Sequence, residues 1–346
     1  MLEVDTLFNV LISKNGSDLH LQENQKPKIR INGQLNEIGN QSLTRQQIIK
    51  LLSSIAPKKD WQEFESKGDF DFAYAFGPFR LRANYFHHLF GLGATFRLIP
   101  SRIFTIEELN LPSCVKNFVK YRSGLVLITG PTGSGKSTTL AAIMDYINTN
   151  FAYKMITIED PVEFIHGRKK SIICHREIGD DTVSFASGLR SAIKCDVDIL
   201  LVGEMRDEET MRLALTASEM GILVLSTLHT NSATKSIDRI IDTFPANRKN
   251  QVRPLLANNL KAVVTQRLIP SVNLTRRYAA FEVLLKTHAI SNIIRTGETF
   301  RLTSEIETNR SMGMMLMDDS LLELVNSRKI SKEEAYLRAT DKTKFV

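Results

Sequence analysis

The chain has 346 residues, of which 42% are hydrophobic and 24% charged; this excludes a disordered polypeptide or a collagen-like fibre and leaves room for two ordinary globular domains. Its 45 basic residues exceed its 38 acidic ones, for a net charge of +7, but they are scattered without a basic block. That surplus is compatible with anionic partners and is most simply a solvated surface.

The first hundred residues read as a small α+β domain. Lys28 to Ile31, the Asn32-Gly33 turn and Gln34-Leu35 carry a hairpin signal. A second hairpin is clearer. Phe70, Phe72, Tyr74 and Phe76 alternate, Gly77-Pro78 turns the chain, and Phe79, Leu81, Ala83 and Tyr85 alternate on the return. That period of two puts Arg80, Arg82 and Asn84 on the opposite face. A third strand, Leu92 to Leu98, leaves Arg97 on its polar side. If the strands share a sheet, three arginines line one face, an arrangement that by itself is usually just solvated. Domain boundaries are expected at 1–98, 99–112 for a linker punctuated by Pro100 and Pro112, and 113–346.

Beyond the linker, apolar strand patterns at 125–129, 155–158, 198–202 and 222–227 alternate with helical ones, the signature of a helix-flanked, largely parallel sheet. After the first of these strands stands Gly130-Pro131-Thr132-Gly133-Ser134-Gly135-Lys136-Ser137, followed by Thr138. It fills every fixed position of the phosphate-binding pattern G-x-x-x-x-G-K-[ST]. Leu140, Ile143, Met144 and Ile147 then recur at helical spacing. The glycines let successive N–H groups converge on phosphate at a helix N-terminus. Lys136 reaches the β and γ phosphates, and the Ser137 hydroxyl suits magnesium. A nucleotide, with Mg²⁺ at its phosphates, is the expected ligand.

Two acidic sites stand at carboxyl ends of strands, where open α/β sheets place chemistry. One is Glu159-Asp160-Pro161-Val162-Glu163. The other is Glu204, after Asp198 to Gly203. Many phosphate-loop enzymes carry Asp then Glu there, but Gly203 fills the Asp position. Glu204 must then orient water, assist the metal, or do both; the competing reading is an acid at a helix N-terminus. His229, in Ser226-Thr-Leu-His-Thr-Asn231, follows another strand and faces either the γ-phosphate or a subunit contact; alone it would read as a satisfied structural histidine. The C-terminal third reads as mostly helical, with helices at 320–326 and 332–339 and Met312, Met314, Met315 and Met317 as core filler. Cys114, Cys174 and Cys195 are too widely spaced for a C-x-x-C metal site and read as free thiols in a reducing compartment. No apolar run approaches bilayer length, so the expected location is cytoplasmic, with docking at the membrane through protein partners.

With these motifs in order, nearly the whole chain resembles the secretion-type hexameric ATPases, and among them the type IV pilus retraction ATPases. Gly16 to Leu21 and Pro27 to Gly33 resemble the family's PAS-like N-terminal domain, and Phe79 to Asn84 and Phe96 to Pro100 its arginine-bearing strands. Ile156 to Glu163 is similar to the Asp box, Val202 to Asp207 to Walker B, and Ser226 to Asn231 to the His box. The resemblance implies a RecA-like motor domain, a homohexamer with ATP and Mg²⁺ as its fuel, and a catalytic set of Glu204, Glu163, Asp160 and His229. It makes Arg80, Arg82 and Arg97 candidates for stabilising phosphoryl charge, Ser137 and Glu204 candidates for holding metal, and an inner-membrane pilus platform protein the expected partner. No specific nucleic acid is expected. The chain departs from the family at Lys194, Cys195 and Val197 ahead of Walker B, at Ile222, and at Ala289-Ile-Ser291-Asn-Ile293-Ile294, where a charged residue is usual.

Neighbouring readings are an auxiliary retraction, pilus assembly or type IV secretion traffic ATPase. Assembly motors usually add a longer N-terminal region and a four-cysteine zinc module, neither of which is present in this sequence. Two readings of another class are a nucleic-acid translocase, disfavoured because the hairpin aromatics read as a buried face, and a nucleotide-gated regulator without turnover.

Overall fold

A computed structural model describes residues 3–31, 33–99 and 102–346, without the Lys59 side chain. The expected Asn32 turn position and Pro100 lie outside the described residues. The chain divides into two compact units, one of Met1–Arg102 with Pro161–Phe164 and the other of Ile103–Asp160 with Ile165–Val346.

In the first unit, six strands, β1 (Asp18–Gln22), β2 (Lys28–Ile31), β3 (Gln34–Glu37), β4 (Asp69–Phe76), β5 (Phe79–His88) and β6 (Gly91–Ile99), form an antiparallel sheet of order β3-β2-β1-β6-β5-β4. Helices α1 (Val4–Ser13), α2 (Arg45–Ile55) and α3 (Lys58–Lys67) bury Phe8, Leu11, Ile48, Leu52 and Phe64 against one face of it. Alternation decides which strand residues meet them: Leu19, Leu21, Leu81, Ala83, Tyr85, Ala94 and Phe96 share that core. The Tyr85 hydroxyl donates to the Leu52 carbonyl at 3.0 Å, and burial pushes its ionisation far up. The α2 start is fixed by a capping box in which Thr44 and Gln47 satisfy each other's backbone N–H.

The second unit is a seven-stranded sheet of order β13-β12-β7-β11-β10-β8-β9. Its strands are β7 (Gly124–Thr129), β8 (Lys154–Glu159), β9 (Ile172–Glu177), β10 (Ile199–Val202), β11 (Leu223–Leu228), β12 (Leu260–Pro270) and β13 (Arg277–Leu285). All neighbours are parallel except β12 and β13, which form an antiparallel hairpin. The central strands β7, β10 and β11 are buried throughout, as a sheet covered on both faces requires. Their connections pass through α4 (Lys136–Asn150), α5 (Phe185–Ala192), α6 (Glu208–Glu219), α7 (Ala233–Thr243) and α8 (Ala246–Asn259). This is the RecA-like α/β architecture.

The C-terminal third is mostly helical, as expected, with that hairpin inside it. Helices α9 (His288–Thr296), α10 (Leu302–Thr308), α11 (Met317–Asn326) and α12 (Lys332–Arg338) are present, but residues 260–285 supply two long strands. Val263, Val264 and Thr265 are β-branched and fully buried, which suits a pleated surface better than a helix. Met314 and Met317 are core residues as expected, whereas Met312 is about half exposed and fills nothing. The three cysteines are unpaired, and burial pushes the Cys114 thiol up to about 11. Among the described residues, no helix is long and apolar enough to cross a membrane.

Candidate active site

The phosphate loop joins β7 to α4 at the carboxyl edge of the parallel strands. Gly130 and Gly135 have φ of 145° and 87°, values that a side chain opposes. Both also lie against β12, where a Cβ on Gly130 would strike the Gln266 carbonyl and one on Gly135 would sit 3.0 Å from Gln266 Nε2. Gly135 caps α4 directly, so the helix begins at Lys136 with its first N–H groups and dipole directed at the loop. Pro131, Thr132 and Gly133 are exposed, Gly135, Ser137 and Thr138 half-buried, and Ser134 and Lys136 buried. Lys136 Nζ donates to the Gly130 and Pro131 carbonyls at 3.0 and 3.1 Å, which keeps its charge folded over the loop.

Glu204 and His229 come from neighbouring strands and meet. His229 Nε2 lies 3.4 Å from Glu204 Oε1, while the other carboxylate oxygen accepts from Arg206 Nε at 2.9 Å. On its far side, His229 Nδ1 is 3.4 Å from the Thr132 hydroxyl of the phosphate loop. Histidine therefore spans the gap between loop and acid. Glu204 is not the helix-capping acid; Asp207 takes that position, accepting from the Thr210 N–H at 2.8 Å. The unusual Gly203 also has a local cause. A Cβ there would lie 3.3 Å from the Ile158 carbonyl and 3.4 Å from the Glu159 Cα, so the close passage of β8 disfavours any side chain.

Asp160 is exposed just after β8. Inside the same unit, β8 is braced by a histidine pair: the His166 and His175 rings stack at 5.7 Å, and the His166 N–H donates to His175 Nε2 at 3.3 Å. His175 Nδ1 then faces the Thr157 hydroxyl at 3.0 Å. Burial, followed by the charge of His175, pushes the His166 imidazole down to about 4.

Glu163 and the three arginines belong to the N-terminal unit. Arg82 and Arg97 are direct partners across β5 and β6, and Arg80 is two residues along the same face. Each of the paired arginines has its own carboxylate: Asp71 for Arg82 at 3.3 Å and Asp18 for Arg97 at 2.8 Å. Burial pushes the Asp18 carboxyl up, but hydrogen bonds from Arg97 and Ser17 outweigh it and hold Asp18 below its usual value. The three arginines thus share one face of the sheet, where Arg82 and Arg97 are ion-paired with carboxylates.

The model of the family described as "Type II/IV secretion system protein" matches residues 2–342. The chain belongs to that family. It is 44% identical over 98% of both chains to the Pseudomonas aeruginosa protein named type IV pilus retractation ATPase PilT. It is 36% identical to the type IV pilus ATPase PilU of the same organism, over 98% of this chain and 89% of that one. The crystal structure of the pilus retraction motor PilT with bound ADP superposes with a TM-score of 0.90 at 38% identity, covering 99% of both chains. As a member of the type II/IV secretion system family, this protein is a P-loop ATPase that binds adenine nucleotide.

Sequence reasoning passed over Gln266, on β12. Its side chain is buried, its Nε2 donates to the Ser134 carbonyl, and its Oε1 accepts from the Thr139 hydroxyl at 2.8 Å. A lone amide between Ala262-Val263-Val264 and Leu268-Ile269 was the available signal, since a buried amide needs partners. Glu282 on β13 was missed for the same reason. It accepts from the Ala233 N–H, the first of α7, at 2.6 Å, and burial raises its pKa.

Proposed function

We propose that this protein is the ATP-hydrolysing motor of type IV pilus retraction, acting as a homohexamer against an inner-membrane platform protein at the cytoplasmic face of the membrane. The observation that carries the reading is the 44% identity to a retraction ATPase along 98% of both chains; the contacts of His229 with Thr132 and Glu204 support it. The loop amides and Lys136 would hold the β and γ phosphates. Ser137 and Glu204 would hold Mg²⁺; a hydroxyl and a carboxylate are the hard oxygen donors this ion takes, with the phosphates and water completing its shell. Bound there, the ion would neutralise phosphate charge.

Glu204 is assigned to orient the attacking water and accept its proton. Its place between Arg206 and His229 supports that role, because both partners restrict where the carboxylate points. His229, touching Thr132 as well, is assigned to report phosphate occupancy to the acid. Asp160 and Glu163 complete the acidic set, and Arg80, Arg82 and Arg97 are assigned to stabilise charge on the transferring phosphoryl group. Changes in shape during each turnover would then act on the platform protein and return pilin to the membrane.

Two measurements test the reading together: phosphate release by the purified protein, and pilus number in cells lacking the gene. Surplus pili that fail to retract support it. Bald cells would instead indicate an assembly motor, lost effector transfer a secretion motor, and ATP binding without phosphate release a regulator.

A further inference from the structure

The Gln266 amide joins two points of the nucleotide site. Its Nε2 donates to the Ser134 carbonyl, inside the phosphate loop, while its Oε1 accepts from Thr139, in the first turn of α4. The Ser134 carbonyl can only accept, so it fixes which end of the amide faces the loop, and the Thr139 hydroxyl donates to the other end. Gln266 is 2% exposed, Ser134 2% and Thr139 2%, so water does not compete for these bonds.

The consequence lies in one peptide plane. The Ser134 carbonyl and the Gly135 N–H belong to the same trans peptide and point in opposite directions. A donor that pins the carbonyl toward β12 aims the Gly135 N–H away from β12. The neighbouring contacts act in the same sense: Thr265 on β12 bonds the Thr129 hydroxyl at 2.8 Å, just ahead of the loop, and Gly130 and Gly135 both abut Gln266. The strand next to the loop is thus a template for its shape.

We propose that Gln266 is a positioning residue for phosphate binding, holding the Ser134–Gly135 peptide so that its N–H is presented to the nucleotide before the nucleotide arrives. The bland alternative is a buried glutamine that only satisfies itself. The two differ in what a substitution changes. Loss of a positioning bond weakens nucleotide binding with little effect on the chemical step, whereas loss of a purely structural bond lowers stability and the active fraction without altering affinity.

The inference rests on nucleotide binding at this loop, so the test includes that control. Fluorescent mant-ADP binding and steady-state ATP hydrolysis would be measured on the full-length wild type, Lys136→Ala, Gln266→Glu, Gln266→Met and Thr139→Val. Gln266→Glu keeps the acceptor for Thr139 and removes the donor to Ser134. It is expected to raise the mant-ADP Kd and the KM for ATP about tenfold, or about 1.4 kcal/mol, while kcat changes about twofold or less. Gln266→Met should do the same, and Thr139→Val, which only frees the amide, should raise Kd about threefold. Thermal melting would be read alongside. Wild-type affinity in Gln266→Glu and Thr139→Val, or a fall in kcat and melting temperature at unchanged KM, would overturn the proposal. Wild-type protein that fails to bind mant-ADP, or Lys136→Ala that binds it normally, would instead strike down the nucleotide assignment on which it stands.

Discussion

The histidine pair beneath β8 makes the motor domain sensitive to acid by an amount that can be worked out. His166 is packed against His175, its side chain is 4% exposed, and its Nδ1 is buried without a hydrogen bond, 3.9 Å from the Asp145 carboxylate. Burial and the neighbouring imidazole push its pKa from the ordinary 6.5 down to about 4. Below pH 6.5 the unfolded chain takes up a proton that the folded chain refuses, so folding stability falls as pH falls. The loss is complete only below the folded value of about 4. At about 1.4 kcal/mol per pH unit between those two values, the loss totals roughly 3 kcal/mol, of which about 2 kcal/mol is gone by pH 5. His166→Phe keeps a ring in the stack and removes the titration. Urea unfolding of both proteins between pH 7.5 and 5 should show the wild type losing about 2 kcal/mol more than the variant. Groups remote from His175 and Asp145 cancel in the difference. Parallel stability profiles would refute the argument, as would a steeper fall in the variant. The site has a stake in the outcome, because the His166 ring stacks on His175, which faces the Thr157 hydroxyl three residues ahead of Asp160.

Three further outcomes follow from the nucleotide site and the arginine-bearing sheet face. Glu204→Gln should lower ATP turnover by about 10²- to 10⁴-fold, the range for a lost general base, while mant-ADP affinity stays within a few-fold; phosphate release at the wild-type rate would remove Glu204 from its role. Lys136→Ala, which deletes the charge folded over the loop, should weaken nucleotide binding or turnover, and unchanged steady-state hydrolysis would contradict the assignment. Arg82→Ala should leave the melting temperature almost unaltered, because its exposed ion pair with Asp71 contributes less than about 1 kcal/mol, yet slow hydrolysis; wild-type turnover would return the arginine to an ordinary solvated surface.

Much of this was legible in the chain because the decisive signals are local. The phosphate loop names itself by eight consecutive positions, and the four parallel strands 125–129, 155–158, 198–202 and 222–227 each end within about two residues of the observed strand. The alternation at 79–85 correctly placed Arg80 and Arg82 on one face. What escaped was set by pairing between distant segments. β9, with alternate residues exposed on a sheet edge, lacks the continuous apolar run of its neighbours. The β12–β13 hairpin was obscured by the helices on either side of it, and Gln266 and Glu282 acquire meaning only through partners 132 and 49 residues away. Ser291 shows the same limit. Where a charged residue is usual, its hydroxyl is buried and donates to the Ala257 carbonyl at 3.0 Å, so the position serves the packing of α9 on α8.

The crowding at Gly203 reaches further than the glycine itself. Because β8 leaves no comfortable space for a side chain at the strand terminus, the acid stands one residue beyond, off the rigid sheet, and its bearing is set by what it touches. Each oxygen already has a companion, Arg206 on one and His229 on the other. A carboxylate has about four lone-pair sites, so with Arg206 Nε at 2.9 Å on one oxygen and His229 Nε2 at 3.4 Å from the other it can still accept from water, but over a narrowed range of directions. With the sheet no longer holding it, the acid is aimed by Arg206 and His229, and a change at either neighbour would turn it.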